Sequence, residues 1–494
     1  MTGRTADVLI AGAGPSGLTA AIELARRGVA VRIVDAASGP NTETRALGMQ
    51  ARTLELYQHA GLVERLLERG LRARIFNVFS ENRQILRADF AGLDSPYPFL
   101  LMIPQNHTQN VLADHLAALG VAVERNVELT GLHQDPSGVA ARLRHADGSV
   151  EEVTATWLVG ADGAHSTVRH ELGVGFVGSA FEENFAVADL RMDWVLPHDQ
   201  FFAYLNRGRF VAYFPMLHGW HRIAVAQPAD AVPDGDVTRD ELQEAVDVCA
   251  PSGATIAEIR QAGRFRINQR RAQTHSKGRV FLVGDAAHIH SVVGAQGMNT
   301  GIADAMNLGW KLAAVAQGTA PPELLATYAT ERAPVAARLV EGTRRVTRMT
   351  LLRNPVSTAF RRRVAPLVLA RPHVQQTLTR AISQIDVSYH DHSGAGPRGR
   401  VAVGDRAPAL FEFDPTRHTL AWFGPEPPDT DRATEGFVDV VGTVVVADTA
   451  VWRRYGLPDG GLALIRPDGY LAYLDAHRDP ALLRAQLNRT FIER

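Results

Sequence analysis

Hydrophobic and polar positions along the chain fall into blocks of different period. Asp7-Val-Leu-Ile-Ala11 is a short apolar run of the kind that fills a parallel sheet covered on both faces. Gly12-Ala-Gly14-Pro15-Ser16-Gly17 follows at once, and Leu18 to Arg27 then carries small and apolar residues that predict a helix. A second strand, Ala30-Val-Arg-Ile-Val34, ends at Asp35. Two later apolar runs repeat the plan: one leads through Thr156-Trp-Leu-Val to Asp162-Gly163 and a helix start at Ser166-Thr-Val-Arg169, the other through Gly278-Arg-Val-Phe-Leu-Val to Gly284-Asp285. From about 176 to 270 the pattern becomes that of short antiparallel strands, among them Phe201-Phe-Ala-Tyr204, Phe210-Val-Ala-Tyr213-Phe214-Pro215 and His221-Arg-Ile-Ala-Val-Ala226. Ala305, Leu308, Gly309, Leu312 and Ala316 recur at helical spacing, and helices are predicted on to about 385.

At 494 residues the chain is too long for one ordinary core. Ser393-Gly-Ala-Gly-Pro-Arg-Gly399 is a Gly/Pro linker that marks off a last domain, with strands near 419–423 and 438–447. Lys and Arg total 52 against 53 Asp and Glu, so no electrostatic footprint for nucleic acid or an anionic membrane exists. No apolar run approaches the roughly 18 residues of a membrane span. A single cysteine, Cys249, excludes an intrachain disulfide and a cysteine metal cluster. With no signal-peptide pattern at the N-terminus, the expectation is a cytoplasmic protein.

The first glycine motif has strand, turn, helix, strand and acid at the offsets of a dinucleotide site. Gly12 permits the tight turn, Gly14 lets backbone approach a pyrophosphate, and Gly17 allows close helix–strand packing. Pro15 and Ser16 open the helix, whose N-terminal N–H groups favour phosphate, and Asp35 can accept from a ribose hydroxyl. The motif alone does not separate NAD from FAD. Asp162 and Asp285 end strands at the sheet edge where ligands bind, and Asp285 can reach ribityl hydroxyls that FAD has and NAD lacks. His288 and His290 form an H-x-H without the Cys, Asp or Glu company of a metal site, so no metal is expected.

Together these segments resemble the single-component FAD-dependent aromatic hydroxylases, the para-hydroxybenzoate and phenol hydroxylase superfamily, and especially its bacterial polyketide-tailoring members. The resemblance spans most of the chain. It implies an α/β fold: a doubly wound, Rossmann-like FAD domain over 1–175 and 271–385 with a helical extension, an antiparallel substrate sheet over 176–270 that part of 70–105 can join, and a thioredoxin-like domain over 400–494. That last domain contains no Cys, which excludes thiol redox chemistry and leaves it a structural or subunit-contact role, as in a homodimer. The resemblance also assigns FAD contacts to Arg45, Gln105, Asp162, Gly284 and Asp285. It lays Gly297, Met298 and Asn299, in the loop Gly294–Gly301, against the pyrimidine edge of the flavin. There a helix N-terminus stabilises the negative charge of the reduced ring. Tyr213, Phe214, Val292 and Val293 become candidates for lining the substrate pocket. Val292 and Ala295 stand where the family commonly has Pro and Gly; the missing Pro loosens that loop, and Ala295 is strained if the position needs φ > 0.

The implied function is an NAD(P)H-dependent FAD monooxygenase that hydroxylates a phenolic or polycyclic aromatic metabolite through a flavin C4a-hydroperoxide. No catalytic side-chain constellation is expected, because the cofactor carries the chemistry. The nicotinamide site is transient, as the lack of a second complete GxGxxG agrees, with Arg45 and Arg169 as candidates either to attract its phosphates or to form structural ion pairs. The alternatives are Baeyer–Villiger oxygen insertion, a non-oxygenating FAD protein that binds a reactive metabolite, and, more distantly, an NAD-only dehydrogenase.

Overall fold

The computed structural model describes residues 6–40, 46–81, 83–206, 209–227, 235–249, 253–290, 296–351, 363–390, 401–408, 414–424 and 434–493. The first sheet is built on β1 (Ala6–Ala11), with β2 (Val31–Asp35) and β8 (Val123–Arg125) parallel on one side, and β11 (Val150–Gly160) and β18 (Val280–Leu282) parallel on the other. The short β17 (Ser276–Lys277) borders β18, and the hairpin of β9 (Glu128–Asp135) and β10 (Gly138–Arg144) pairs with the first half of β11. Successive side chains of β1 serve different layers, as the period of two requires. Val8 and Ile10 pack with Leu18 and Ile22 of α1 (Pro15–Ala25) and with Ile302 and Leu308 of α7 (Gly297–Ala316), whereas Leu9 and Ala11 pack with Val139, Ala141 and Val153. Burial on both faces is why this strand reads as an unbroken apolar run.

The second sheet has eight strands in the order β19-β16-β12-β15-β14-β13-β5-β6. These are β5 (Ile75–Ser80), β6 (Arg83–Asp89), β12 (Phe176–Asp193), β13 (Phe201–Asn206), β14 (Arg209–Pro215), β15 (Trp220–Gln227), β16 (Thr255–Ala272) and β19 (His288–Ile289). Two differences from the sequence reading stand out. β12 and β16 run for 18 residues each. The polar Asp189 and Gln261 face each other inside them and interrupt the apolar alternation that marks a strand in sequence. In addition, β13 pairs with β5 in parallel, so the sheet is not purely antiparallel.

One face of this sheet is closed by α6 (Arg239–Cys249), whose Leu242, Ala245, Val246 and Cys249 fall at helical spacing and meet Leu190, Tyr204, Val211, Tyr213 and Ile223. Each fully buried Leu or Val there contributes about 1.5–3 kcal/mol. The other face turns inward, and register arranges it in rows. Phe76, Phe201, Phe214, Arg222, Asp189 and Gln261 form one row, with rings at 4.6 Å between Phe76 and Phe201 and at 6.4 Å between Phe201 and Phe214. The next row is small: Val78, Ala203, Ala212, Ala224, Val187 and Gly263. The long helix α8 (Ala326–Leu351) runs against β14 and β16.

Between the two sheets lies a small one, β3 (Gly48–Met49), β7 (Leu100–Met102) and β4 (Leu71–Ala73), flanked by α2 (Ala51–His59), α3 (Val63–Leu67) and α4 (Gln105–Ala118). The C-terminal layer is a four-stranded mixed sheet in the order β21-β20-β22-β23, made of β20 (His418–Phe423), β21 (Val441–Val446), β22 (Gly461–Ile465) and β23 (Leu471–Asp475). Its loops reach back to α8 and α2 through a buried ion pair and a hydrogen bond: Arg466 binds Glu331 of α8 at 2.7 Å, and Arg52 of α2 donates to the Asp468 carbonyl at 2.6 Å. No described helix is long and apolar enough to cross a membrane.

Candidate functional site

The ends of β1, β11 and β18 converge with the start of α7. Gly12 closes β1 at φ +100°, and a Cβ there would fall on the Ala161 carbonyl. A Cβ on Gly17 would meet the Gly12 carbonyl, which gives this glycine the packing role its motif position predicts. Gly14 is different. It is extended, caps α1 without any side-chain partner, and has nothing within 4 Å of its Cβ position. Open space over an uncapped helix N-terminus is what a phosphate needs. Asp35 braces this loop, since its Oδ2 accepts from Ala13 N at 2.6 Å, and Arg125 lies 3.6 Å from the same oxygen.

The Gly284 turn closes the cradle. Gly284 sits at φ +60°, and both its Cβ position and that of Gly301 would collide with Ser16 Oγ. Asp285 projects outward beside it and is exposed. Beneath the turn is a buried hub that the sequence reading did not single out. Asp304 of α7 accepts from Gly284 N at 3.3 Å, shares a 2.7 Å hydrogen bond with His288 Nε2, and pairs with Arg332 Nε of α8 at 2.7 Å. Burial alone would raise the Asp304 carboxyl pKa; Arg332 and His288 overcome that and hold it well below the usual range. Arg332 also donates to the Thr300 carbonyl, tying the first turn of α7 to the hub.

Just past the end of β11, Asp162 accepts from Val168 N at 3.0 Å, and burial pushes its carboxyl pKa up. Ser166 caps α5 (Thr167–Glu171) by accepting from Arg169 N. The Arg169 side chain corrects an expectation. It is 2% exposed, donates to the carbonyls of Ala286 and Ala164, and covers the Phe176 ring at 3.9 Å. Its charge serves packing and is not offered to a nicotinamide phosphate.

Gln105 opens α4 and donates its backbone N–H to the Ala46 carbonyl at 3.2 Å. One turn on, Gln109 reaches the Ala13 carbonyl at 3.4 Å, while its Oε1 is buried with no partner among the described residues. Gln109 was missed in sequence, although the i, i+4 spacing from Gln105 puts both on one helix face. At the start of α7, Gly297 lies near His290, and Met298 is half-buried against the core. The Asn299 side chain is fully buried: it donates to the Gly48 carbonyl at 2.8 Å and accepts from Gln50 N and Thr53 Oγ1. Any contact from Asn299 to a cofactor is therefore left to its backbone.

The two aromatic candidates of β14 separate. Tyr213 is core between the sheet and α6, because adjacent strand residues point to opposite faces; it does not line the inner pocket. Phe214 takes the inner face, in the row with Phe76 and Phe201. Arg45, Val292, Val293 and Ala295 lie outside the described residues. No group of three metal-binding side chains occurs among the described residues. A surface groove of about 560 Å³ is lined by Trp157, Arg279 and Phe281 together with Gln134 and Pro136, and by none of the residues of this convergence.

The open space at Gly14, the glycine cradle around Ser16 and the unpartnered Gln109 oxygen fit an extended dinucleotide. Comparisons agree. The FAD binding domain family matches residues 5–343. A 6-methylpretetramide 4-monooxygenase of Streptomyces rimosus is 36% identical over 97% of this chain and 93% of its own. A pentachlorophenol 4-monooxygenase of Sphingobium chlorophenolicum is 35% identical over 84% of this chain and 79% of its own. The solved structure of the anhydrotetracycline hydroxylase OxyS from Streptomyces rimosus superposes with a TM-score of 0.80 at 32% identity, covering 98% of this chain and 99% of that one.

Proposed function

The chain belongs to the FAD binding domain family and is a flavin-dependent monooxygenase, and on that premise we propose how its residues divide the work of hydroxylating a phenolic or polycyclic aromatic ring. When bound, FAD would supply the redox centre through which electrons from NAD(P)H reduce O2, one oxygen atom going to the ring and the other leaving as water. Gly12, Gly14, Pro15, Ser16 and Gly17 hold the pyrophosphate, and Asp35 holds the adenosine ribose. Gln105, Gln109 and Asp162 flank the middle of the cofactor, Gly284 and Asp285 take the ribityl chain, and the backbone of Gly297, Met298 and Asn299 faces the pyrimidine edge. Asp304 and Arg332 keep the Gly284 turn and the α7 start in register with each other. Phe76, Phe201 and Phe214 give a flat substrate an apolar wall and exclude water from the ring.

The observation that carries this reading is a pair of close approaches where no side chain larger than hydrogen fits: Gly12 and Gly17 against each other and Ala161, and Gly284 and Gly301 against Ser16 Oγ. The mixed pairing of β20, parallel with β21 and antiparallel with β22, supports a thioredoxin-like assignment of the C-terminal layer, and its lack of cysteine leaves that layer without thiol chemistry. Its ion pairs to α2 and α8 favour a structural role.

Purified protein should be yellow with bound FAD and should consume NAD(P)H and O2 in response to phenols or polyketide aromatics. A hydroxylated product separates this function from lactone formation by ring-ketone insertion. A colourless protein without affinity for FAD contradicts it.

A further inference from the structure

Arg222 is the cationic side chain that the inner face of the second sheet places in its row of rings. It stands directly across from Phe214 on one side and Asp189 on the other. A guanidinium beside an aromatic wall is ordinarily a ready partner for a carboxylate on a flat ligand. Here the fork is already closed. Arg222 Nε and Nη2 donate to the two oxygens of Asp189 at 2.6 and 2.8 Å, with both side chains 3% exposed. Its Nη1 points to the Ala46 carbonyl at 3.3 Å. Asp189 is held in turn by Gln261 Nε2 at 2.6 Å. The next row is small and apolar, with Ala203, Ala212 and Ala224 between Val78 and Val187, and this cluster contains no helix residue.

We propose that Asp189 determines the charge selectivity of the aromatic pocket. By occupying Arg222 it gives the sheet an electrically neutral floor, which accepts an uncharged aromatic face and rejects a ring system bearing a carboxylate. An incoming anion must either displace a bidentate, charge-assisted pair or lie beside the Asp189 carboxylate, and both are unfavourable. The proposal rests on the aromatic-substrate reading above.

Two probes of one scaffold test it: 1,8-dihydroxyanthraquinone and its 3-carboxylate, each titrated against the FAD-loaded enzyme by flavin absorbance and by stimulation of NAD(P)H oxidation. Wild type is expected to bind the neutral quinone at least about tenfold more tightly. Asp189→Asn keeps the side chain's size, removes the negative charge and turns one accepting oxygen into an N–H donor, which opens the fork and leaves Arg222 cationic, so the ratio should move about tenfold or more toward the carboxylate. The double variant Asp189→Leu with Arg222→Met withdraws both charges and should keep the preference for the neutral probe. Equal binding of both probes by wild type overturns the proposal alone and needs no variant, as does an Asp189→Asn enzyme with an unchanged ratio. A wild-type flavin that responds to neither probe counts against the aromatic-substrate reading, and the proposal falls with it.

Discussion

Arg406 of the C-terminal layer lays its guanidinium across both carboxylate oxygens of Glu55, at 2.8 and 2.6 Å, inside the protein. Glu55 belongs to α2, which also carries Gln50 at its cap and Thr53, the two groups that donate to Asn299 at the start of α7. The C-terminal layer thus bears on the proposed pyrimidine end of the cofactor through a single short helix. Burial would raise the Glu55 carboxyl pKa; Arg406 and Arg52 reverse this and lower it to about 2.

Removing one member of such a pair strands a buried charge. Arg406→Ala should therefore cost about 3–5 kcal/mol, read as a lower melting temperature, and should speed FAD loss, read as the rise of free-flavin fluorescence. An unchanged melting temperature would show that the C-terminal layer does not brace α2.

Glycines of the same motif should fail in different ways. Gly14→Ala meets no protein atom and no positive φ, so the apoprotein should fold normally and lose FAD affinity by about 100-fold or more, as its methyl enters phosphate space. Gly12→Ala, at φ +100° and against the Ala161 carbonyl, should lower stability itself. Circular dichroism melts beside flavin titrations distinguish the two; equal FAD affinity in Gly14→Ala would remove the phosphate site from this loop.

Neighbours on β14 should behave oppositely. Tyr213→Phe deletes a buried hydroxyl that has no partner among the described residues and faces α6, so substrate KM should not change and stability should hold or rise slightly. Phe214→Ala opens the inner row and should raise substrate KM about tenfold or more. A KM effect at Tyr213 comparable to that at Phe214 would reverse the face assignment.

His221 and His275 are each 1% exposed, and burial lowers each to about 4 from an ordinary value of 6.5. A depressed folded-state pKa means that the unfolded chain takes up the proton first. Their contribution is intact above pH 6.5 and is lost as pH falls toward 4, at up to about 3 kcal/mol each. Glu55 adds loss of the same sign lower down, from its unfolded value near 4.5 toward 2. Melting temperature should be level with respect to these groups above pH 6.5 and decline below it; a rise between pH 6.5 and 5 would contradict the assignment.

The nucleotide half of the fold was readable because its instructions are local. A turn that needs Gly12, a helix that begins at Pro15 and a strand that ends at Asp35 lie within one stretch of chain. The Gly284-Asp285 segment was legible for the same reason. Asp304 and Arg332 were not, since their meaning comes from an encounter between residues 28 positions apart on two helices. Alternation shows that Tyr213 and Phe214 point in opposite directions, but the choice of face depends on where α6 packs. Arg169 has the residue type of a phosphate ligand, and only its carbonyl partners and Phe176 reveal a packing role.

The Ala46 carbonyl accepts from Gln105 N at the head of α4 and from Arg222 on the second sheet. A main-chain oxygen stitches these elements together, so the stitch survives any side chain that leaves the local path intact. Alanine scanning, which position 46 passes by default, is blind to it. One residue inserted or deleted between Ala46 and Gly48 would unpick both threads, so tolerance here should be broad for substitutions and narrow for length.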